Sequence, residues 1–112
     1  MLNQLCKQAH ENAKKKGWWD AEKSFGELIA LVHSELSEAL EEYRKGNAPN
    51  EIIYLVGHGQ PDKPEGIPIE LADVLIRIFD LCGRYGIDLN EAVKIKMEYN
   101  KKRTWRHGGK KC

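Results

Sequence analysis

The chain has 112 residues, with 18 lysines and arginines against 17 acids, a formal net charge of +1, 41% hydrophobic and 31% charged residues. That length allows one small domain, and the composition excludes a disordered chain while leaving a helical core small enough to be completed by self-association. The charge is unevenly spread. Residues 22–51 are acid-rich, whereas Lys101, Lys102, Arg103, Arg106, Lys110 and Lys111 follow Asn100 with no acid among them, so an acidic metal site and a cationic phosphate contact are expected in one chain.

Cys6, Cys82 and Cys112 are odd in number and show no C-x-x-C spacing, which argues against a disulfide framework or structural zinc and for a reducing compartment. The first 16 residues are polar, and no apolar run approaches the roughly 20 residues that span a bilayer. A cytoplasmic protein is expected, with no membrane partner.

In chain order, the first helix is expected over about Leu2–Lys15, ended by Gly17, with Trp18-Trp19-Asp20 as a short connection. The second starts at the capping box Ser24-x-x-Glu27 and runs to about Lys45, before Gly46. Its apolar residues Phe25, Leu28, Ile29, Val32, Leu36, Ala39, Leu40 and Tyr43 recur at steps of three and four. Residues 47–66 form a long connection in which the apolar run Ile52–Val56 suits either a short strand or a segment lying across a neighbour; a connection of that length is often functional, as a lid is. The third helix is expected from Ile67 to Tyr85, with Pro68 in its first turn and Gly86 as terminator. The fourth begins at Asp88-x-x-Glu91 and continues to about Lys102, leaving a basic tail over residues 104–112. The whole chain reads as one all-α domain.

Two acidic pairs stand out, Glu35-x-x-Glu38 in the second helix and Glu70-x-x-Asp73 in the third. Residues three apart neighbour each other on a helix, so each pair can aim two carboxylates at one point. At about 100° per residue, Glu35 and Glu38 lie at roughly −80° and −140° from the centre of their helix's apolar stripe, near Leu36. Glu70 and Asp73 lie at roughly −120° and −180° from the centre of theirs, near Cys82. Displacement in one rotational sense brings both pairs to one side when antiparallel helices pack stripe to stripe. Four carboxylates so gathered require a cation, and oxygen-only ligands favour Mg²⁺ or Mn²⁺. Glu-rich helices are nonetheless common as solvated faces, and periodicity alone leaves that reading ahead.

The motifs resemble those of the MazG-type all-α nucleoside triphosphate pyrophosphohydrolases, in which E-x-x-E is followed by E-x-x-D on the next helix. Lys96-x-x-x-Asn100-x-x-Arg103 is similar to the family's K-x-x-x-N-x-x-R pattern, and the likeness reaches back to Gly17-Trp18-Trp19. The resemblance implies a four-helix MazG-like bundle with antiparallel central helices, completed by oligomerisation as a homodimer or homotetramer with sites shared across subunits. It implies Mg²⁺, with Mn²⁺ as a substitute, held by Glu35, Glu38, Glu70 and Asp73, and water attack on the α-phosphorus of a nucleoside triphosphate to give the monophosphate and pyrophosphate. Such an enzyme would clear surplus or damaged nucleotides. Lys96, Asn100 and Arg103 would take phosphate oxygens. Trp18 and Trp19 are candidates for stacking on the base, with at least one of the two structural. His33 and Cys82 read as packing residues.

Ser34 stands where many relatives carry a second acid, leaving the number of metal ions and the identity of the general base open. The competing reading is a non-catalytic helical dimerisation module whose basic tail binds nucleic acid or an acidic partner; with the motifs in hand, nucleic acid is disfavoured. A ferritin-like di-metal site is disfavoured because neither acidic motif supplies an E-x-x-H histidine.

Overall fold

The computed structural model describes residues 1–57 and 62–103. It contains helices α1 (Leu2–Lys15), α2 (Phe25–Arg44), α3 (Ile67–Tyr85) and α4 (Leu89–Lys102), with strands β1 (Ile53–Leu55) and β2 (Lys63–Glu65) between α2 and α3. The fold is mainly helical, and its boundaries follow from local chemistry. Ser24 and Glu27 close the expected capping box at the start of α2. Asp88 accepts from the Glu91 backbone N–H at the start of α4, and Gly86 ends α3 in the left-handed conformation, φ 64°. The apolar run after Ile52 does form a strand. β1 pairs antiparallel with β2 in the register Ile53↔Glu65, Tyr54↔Pro64 and Leu55↔Lys63, and the two-stranded ribbon tolerates Pro64 because both strands are edges. Residues 58–61, which join the strands, and the basic tail 104–112 lie outside the described residues.

α3 is the central element, with α1 packed on one side and α2 on the other. Both neighbours run antiparallel to it: Leu28 meets Leu81 while Glu35 meets Arg77, and Cys6 meets Cys82 while His10 meets Asp80. The core is the cluster Cys6, Leu28, Leu81 and Cys82, flanked by Trp19, Val32, Ile78, Phe79 and Leu89. α1 sits close on α3 because Gly83 has no side chain; a Cβ there would meet the Cys6 carbonyl oxygen at 2.6 Å and the His10 Cβ at 2.7 Å.

α4 is tied on mainly at its start. Asn3 Nδ2 donates to Asp88 Oδ1 at 2.9 Å, and the Leu2 backbone N–H donates to Asn90 Oδ1 at 2.9 Å. No residue of α4 is buried. The helices of one chain therefore form a three-helix layer with α4 extending from it.

The stripe-to-stripe packing expected for α2 and α3 holds only in part: Leu28 and Val32 of the α2 stripe share the core with Ile78, Phe79 and Cys82 of the α3 stripe. Leu36, at the centre of the α2 stripe, is 50% exposed, and Leu40, Leu71 and Leu75 are likewise exposed. Beside the buried stripe residues Leu28 and Ala39, the flank that carries Glu35 and Glu42 turns inward. The physical reason is that an apolar stripe demands an apolar cover but does not specify whose. The described chain is correspondingly extended, with a radius of gyration of 17.0 Å against about 13 Å for a compact domain of this length. Among the described residues no helix is long and apolar enough to cross a membrane.

Candidate active site

The antiparallel placement of α2 and α3 sets Glu35 against the first two turns of α3. One carboxylate oxygen each from Glu35, Glu70 and Asp73 lies within 4.8 Å of the other two. All three residues are partly buried. Glu38, a turn further along α2, is exposed and stays outside that group. It remains close enough to act electrostatically. The Glu70 carboxyl is pushed above the usual glutamate range, first by burial and then by Asp73, Glu35, Glu38 and Glu42. Burial and Glu35 likewise push Asp73 up, while the Arg77 guanidinium pulls it back.

Three partly buried carboxylates on two helices, resisting joint ionisation, make a donor set suited to a hard divalent cation. Such ions take oxygens at about 2.1 Å, so ligands around one centre stand no more than about 4.2 Å apart, a small adjustment from the arrangement seen.

The group opens on a cavity of about 420 Å³ bordered by α1, Trp18, α2 and α3. Glu35, Asp73 and Trp18 line it, as do Arg77, Asp80 and Asn12, which sequence reasoning missed. Arg77 Nε donates to Glu35 Oε1 at 2.7 Å, and its guanidinium lies 4.6 Å from the centre of the Trp18 ring. Lys23 Nζ lies over the same ring at 4.4 Å, so an aromatic base stacking on Trp18 would displace one of two cations.

The two tryptophans stand in different surroundings. Trp18 borders the cavity, whereas Trp19 packs against the core and donates Nε1–H to Asp80 Oδ1 at 2.9 Å. Cys82 is buried in the core and His33 is exposed.

Lys96, Asn100 and Arg103 are not brought to the acidic group within one chain. They lie exposed on α4, with Lys96 and Arg103 over the Tyr99 ring at 4.9 Å and 5.8 Å, because α4 leaves the helical layer at its first turn.

A sequence signal for the missed residues existed. Arg77 and Asp80 stand four and seven residues after Asp73, and Glu42 four after Glu38, each continuing an acidic motif along one helical face. Glu42 is 8% exposed and accepts from Asn47 Nδ2 at 2.6 Å.

No family model matches the sequence, and no solved structure matches it. Over 38 residues the chain is 45% identical to a dATP/dGTP diphosphohydrolase of Cyanophage S-2L, a stretch amounting to 34% of this chain and 36% of that protein. The chain thus matches about a third of that relative's length, and the similarity supports a relationship to nucleotide diphosphohydrolases, the class the acidic motifs also resemble.

Proposed function

We propose that the protein hydrolyses nucleoside or deoxynucleoside triphosphates to the monophosphate and pyrophosphate with Mg²⁺, serving to remove surplus or damaged nucleotides. The observation that carries this reading is the convergence of Glu35, Glu70 and Asp73 within 4.8 Å at the mouth of a cavity lined by Trp18 and Arg77. The partial likeness to a diphosphohydrolase points the same way.

In this reading Glu35, Glu70 and Asp73 hold the cation, and Glu38 completes the set by a change of rotamer. A divalent cation bound there would neutralise charge on the phosphate oxygens and polarise the reacting phosphorus. Arg77 holds Glu35 in place and presents its remaining N–H groups to the phosphates. Trp18 stacks on the base after Lys23 or Arg77 moves aside. The oxygen of a water molecule bonds to the α-phosphorus, the bridge from the α- to the β-phosphorus breaks, and pyrophosphate leaves; a carboxylate of the cluster takes the water's proton.

The exposed stripe of Leu36, Leu40, Leu71 and Leu75, with α4 standing away from the layer, supports a homodimer in which a second copy covers the stripe and brings Lys96, Asn100 and Arg103 toward the phosphates. The interaction-module reading rests on the tail beyond Arg103, outside the described residues, and no observation favours it.

The test is a panel of nucleoside and deoxynucleoside triphosphates with Mg²⁺, followed by pyrophosphate release. Asp73→Asn and Glu38→Gln, folded as judged by circular dichroism, are expected to lose at least about a hundredfold in rate, the scale on which removing one preorganised charge acts. Wild-type rates in both variants would refute the site, and a panel with no substrate would refute the activity.

A further inference from the structure

The acidic motifs do not account for the carboxylate at the other end of the cavity. Asp80 is 7% exposed, and its Oδ1 accepts from Trp19 Nε1 at 2.9 Å and from His10 Nδ1 at 2.8 Å. An ionised carboxylate only accepts, so His10 carries its proton on Nδ1, and the two bonds use both lone pairs of Oδ1. Oδ2 takes no bond from any described side chain. Yet among the described residues no buried side-chain nitrogen or oxygen lacks a partner. Oδ2 is therefore not sealed from solvent, and the principal space Asp80 borders is the cavity it shares with Trp18, Glu35 and Asp73.

Asp73 and Asp80 are seven residues apart on α3, hence on one face and about 10 Å apart along the axis. A nucleotide with its phosphates at the Glu35–Glu70–Asp73 end reaches Asp80 with its base. On the facing helix the wall is made of Ala9, Asn12, Ala13 and Lys16.

We propose that Asp80 reads the base edge and that the preferred base is guanine, an inference that rests on the nucleotide reading above. Oδ2 offers two lone pairs and a negative charge, held in place by Trp19 and His10. Guanine presents two adjacent donors, N1–H and the 2-amino group, which satisfy both. Adenine and cytosine set a ring acceptor beside their amine, and uracil and thymine flank a single N–H with two carbonyls, so each of these turns a lone pair toward the carboxylate. An anchor for Trp19 and His10 is the plainer role for Asp80, and it predicts no base preference.

The experiment compares kcat/KM for dGTP, dITP, dATP and dXTP in the full chain with Mg²⁺. Hypoxanthine lacks only the 2-amino donor, so wild type is expected to favour dGTP over dITP by about ten- to a hundredfold, the worth of one hydrogen bond to a charged group, and to favour it over dATP by more. Asp80→Asn keeps an oxygen for Trp19 and His10 but turns an amide donor to the cavity, where it opposes both guanine donors and the N1–H that xanthine shares with guanine, and instead suits the N1 acceptor of adenine. The dATP-to-dGTP ratio is expected to rise at least about tenfold, as for other exchanges of donor for acceptor. Equal use of dGTP and dITP by wild type, or a uniform loss on all four substrates in Asp80→Asn, would overturn the proposal. If no triphosphate is cleaved, the hydrolase reading fails, and calorimetric binding of dGMP and dIMP decides this one: tighter dGMP upholds it and equal binding overturns it.

Discussion

Arg77→Gln is expected to move metal affinity and catalysis in opposite directions. In the wild-type chain the guanidinium bonds Glu35 at 2.7 Å, with the Arg77 side chain 27% and the Glu35 side chain 16% exposed. A divalent cation among Glu35, Glu70 and Asp73 would stand about 5 Å from that guanidinium, a repulsion of about 7 kcal/mol at an effective dielectric constant of about 20. Solvent at the partly exposed arginine and relaxation of its long side chain remove most of it, leaving about 1.5 kcal/mol, or roughly tenfold in Kd. Glutamine also frees Glu35 Oε1 for ligation. Calorimetric titration with Mn²⁺ should therefore show about tenfold tighter binding to Arg77→Gln. Its apo form should melt at a lower temperature, because three carboxylates are left without their counter-charge, and its turnover should fall for want of a phosphate contact. Unchanged or weaker Mn²⁺ binding in a folded Arg77→Gln protein would refute the placement of the ion beside Glu35.

The raised Glu70 pKa has a definite sign. A carboxyl whose folded value lies above its unfolded one favours folding below the unfolded value, near 4.5, and loses that contribution as pH climbs through the folded value. Without metal, Glu70→Gln should melt above wild type at pH 8 and converge with it below about pH 4; Mg²⁺ should stabilise wild type and leave the variant unmoved, and a variant less stable at pH 8 without metal would contradict the burial argument. Gly83→Ala forces a methyl group against the α1 backbone, so urea denaturation should register a loss of about 1–3 kcal/mol; a neutral result would mean that α1 does not lie where it is described. If the proposed homodimer forms through the exposed stripe, Leu40→Glu places a charge in it, and sedimentation should show a wild-type dimer and a monomeric variant; equal masses would remove the stripe from any interface.

Sequence legibility ran along the chain more than across it. Ser24 with Glu27, Gly86, and Asp88 before Glu91 marked helix ends through short-range hydrogen bonds, and these the structure bears out. The same-side displacement of Glu35, Glu70 and Asp73 was also legible, because helical period fixes azimuth. What failed was the partner of each face. Leu36 and Leu40 were expected to meet α3 but lie exposed, while Glu35 and Glu42 turn inward, since hydrophobicity measures the need for a cover and not its origin. α4 failed for a related reason. The spacing of Lys96, Asn100 and Arg103 defines a basic face, but the placement of that face is set by the turn after Gly86 and not by helical period. Arg77 and Asp80 sat in the correct register yet did not stand out until the fold set them against Glu35 and Trp19.

The central claim is met most directly by crystals of the protein grown with Mn²⁺ and a non-hydrolysable triphosphate analogue, with anomalous difference density recorded above the manganese edge. The account predicts a peak between Glu35, Glu70 and Asp73, about 2.2 Å from a carboxylate oxygen of each. Those three side chains turned to solvent, with manganese elsewhere or nowhere, would contradict it.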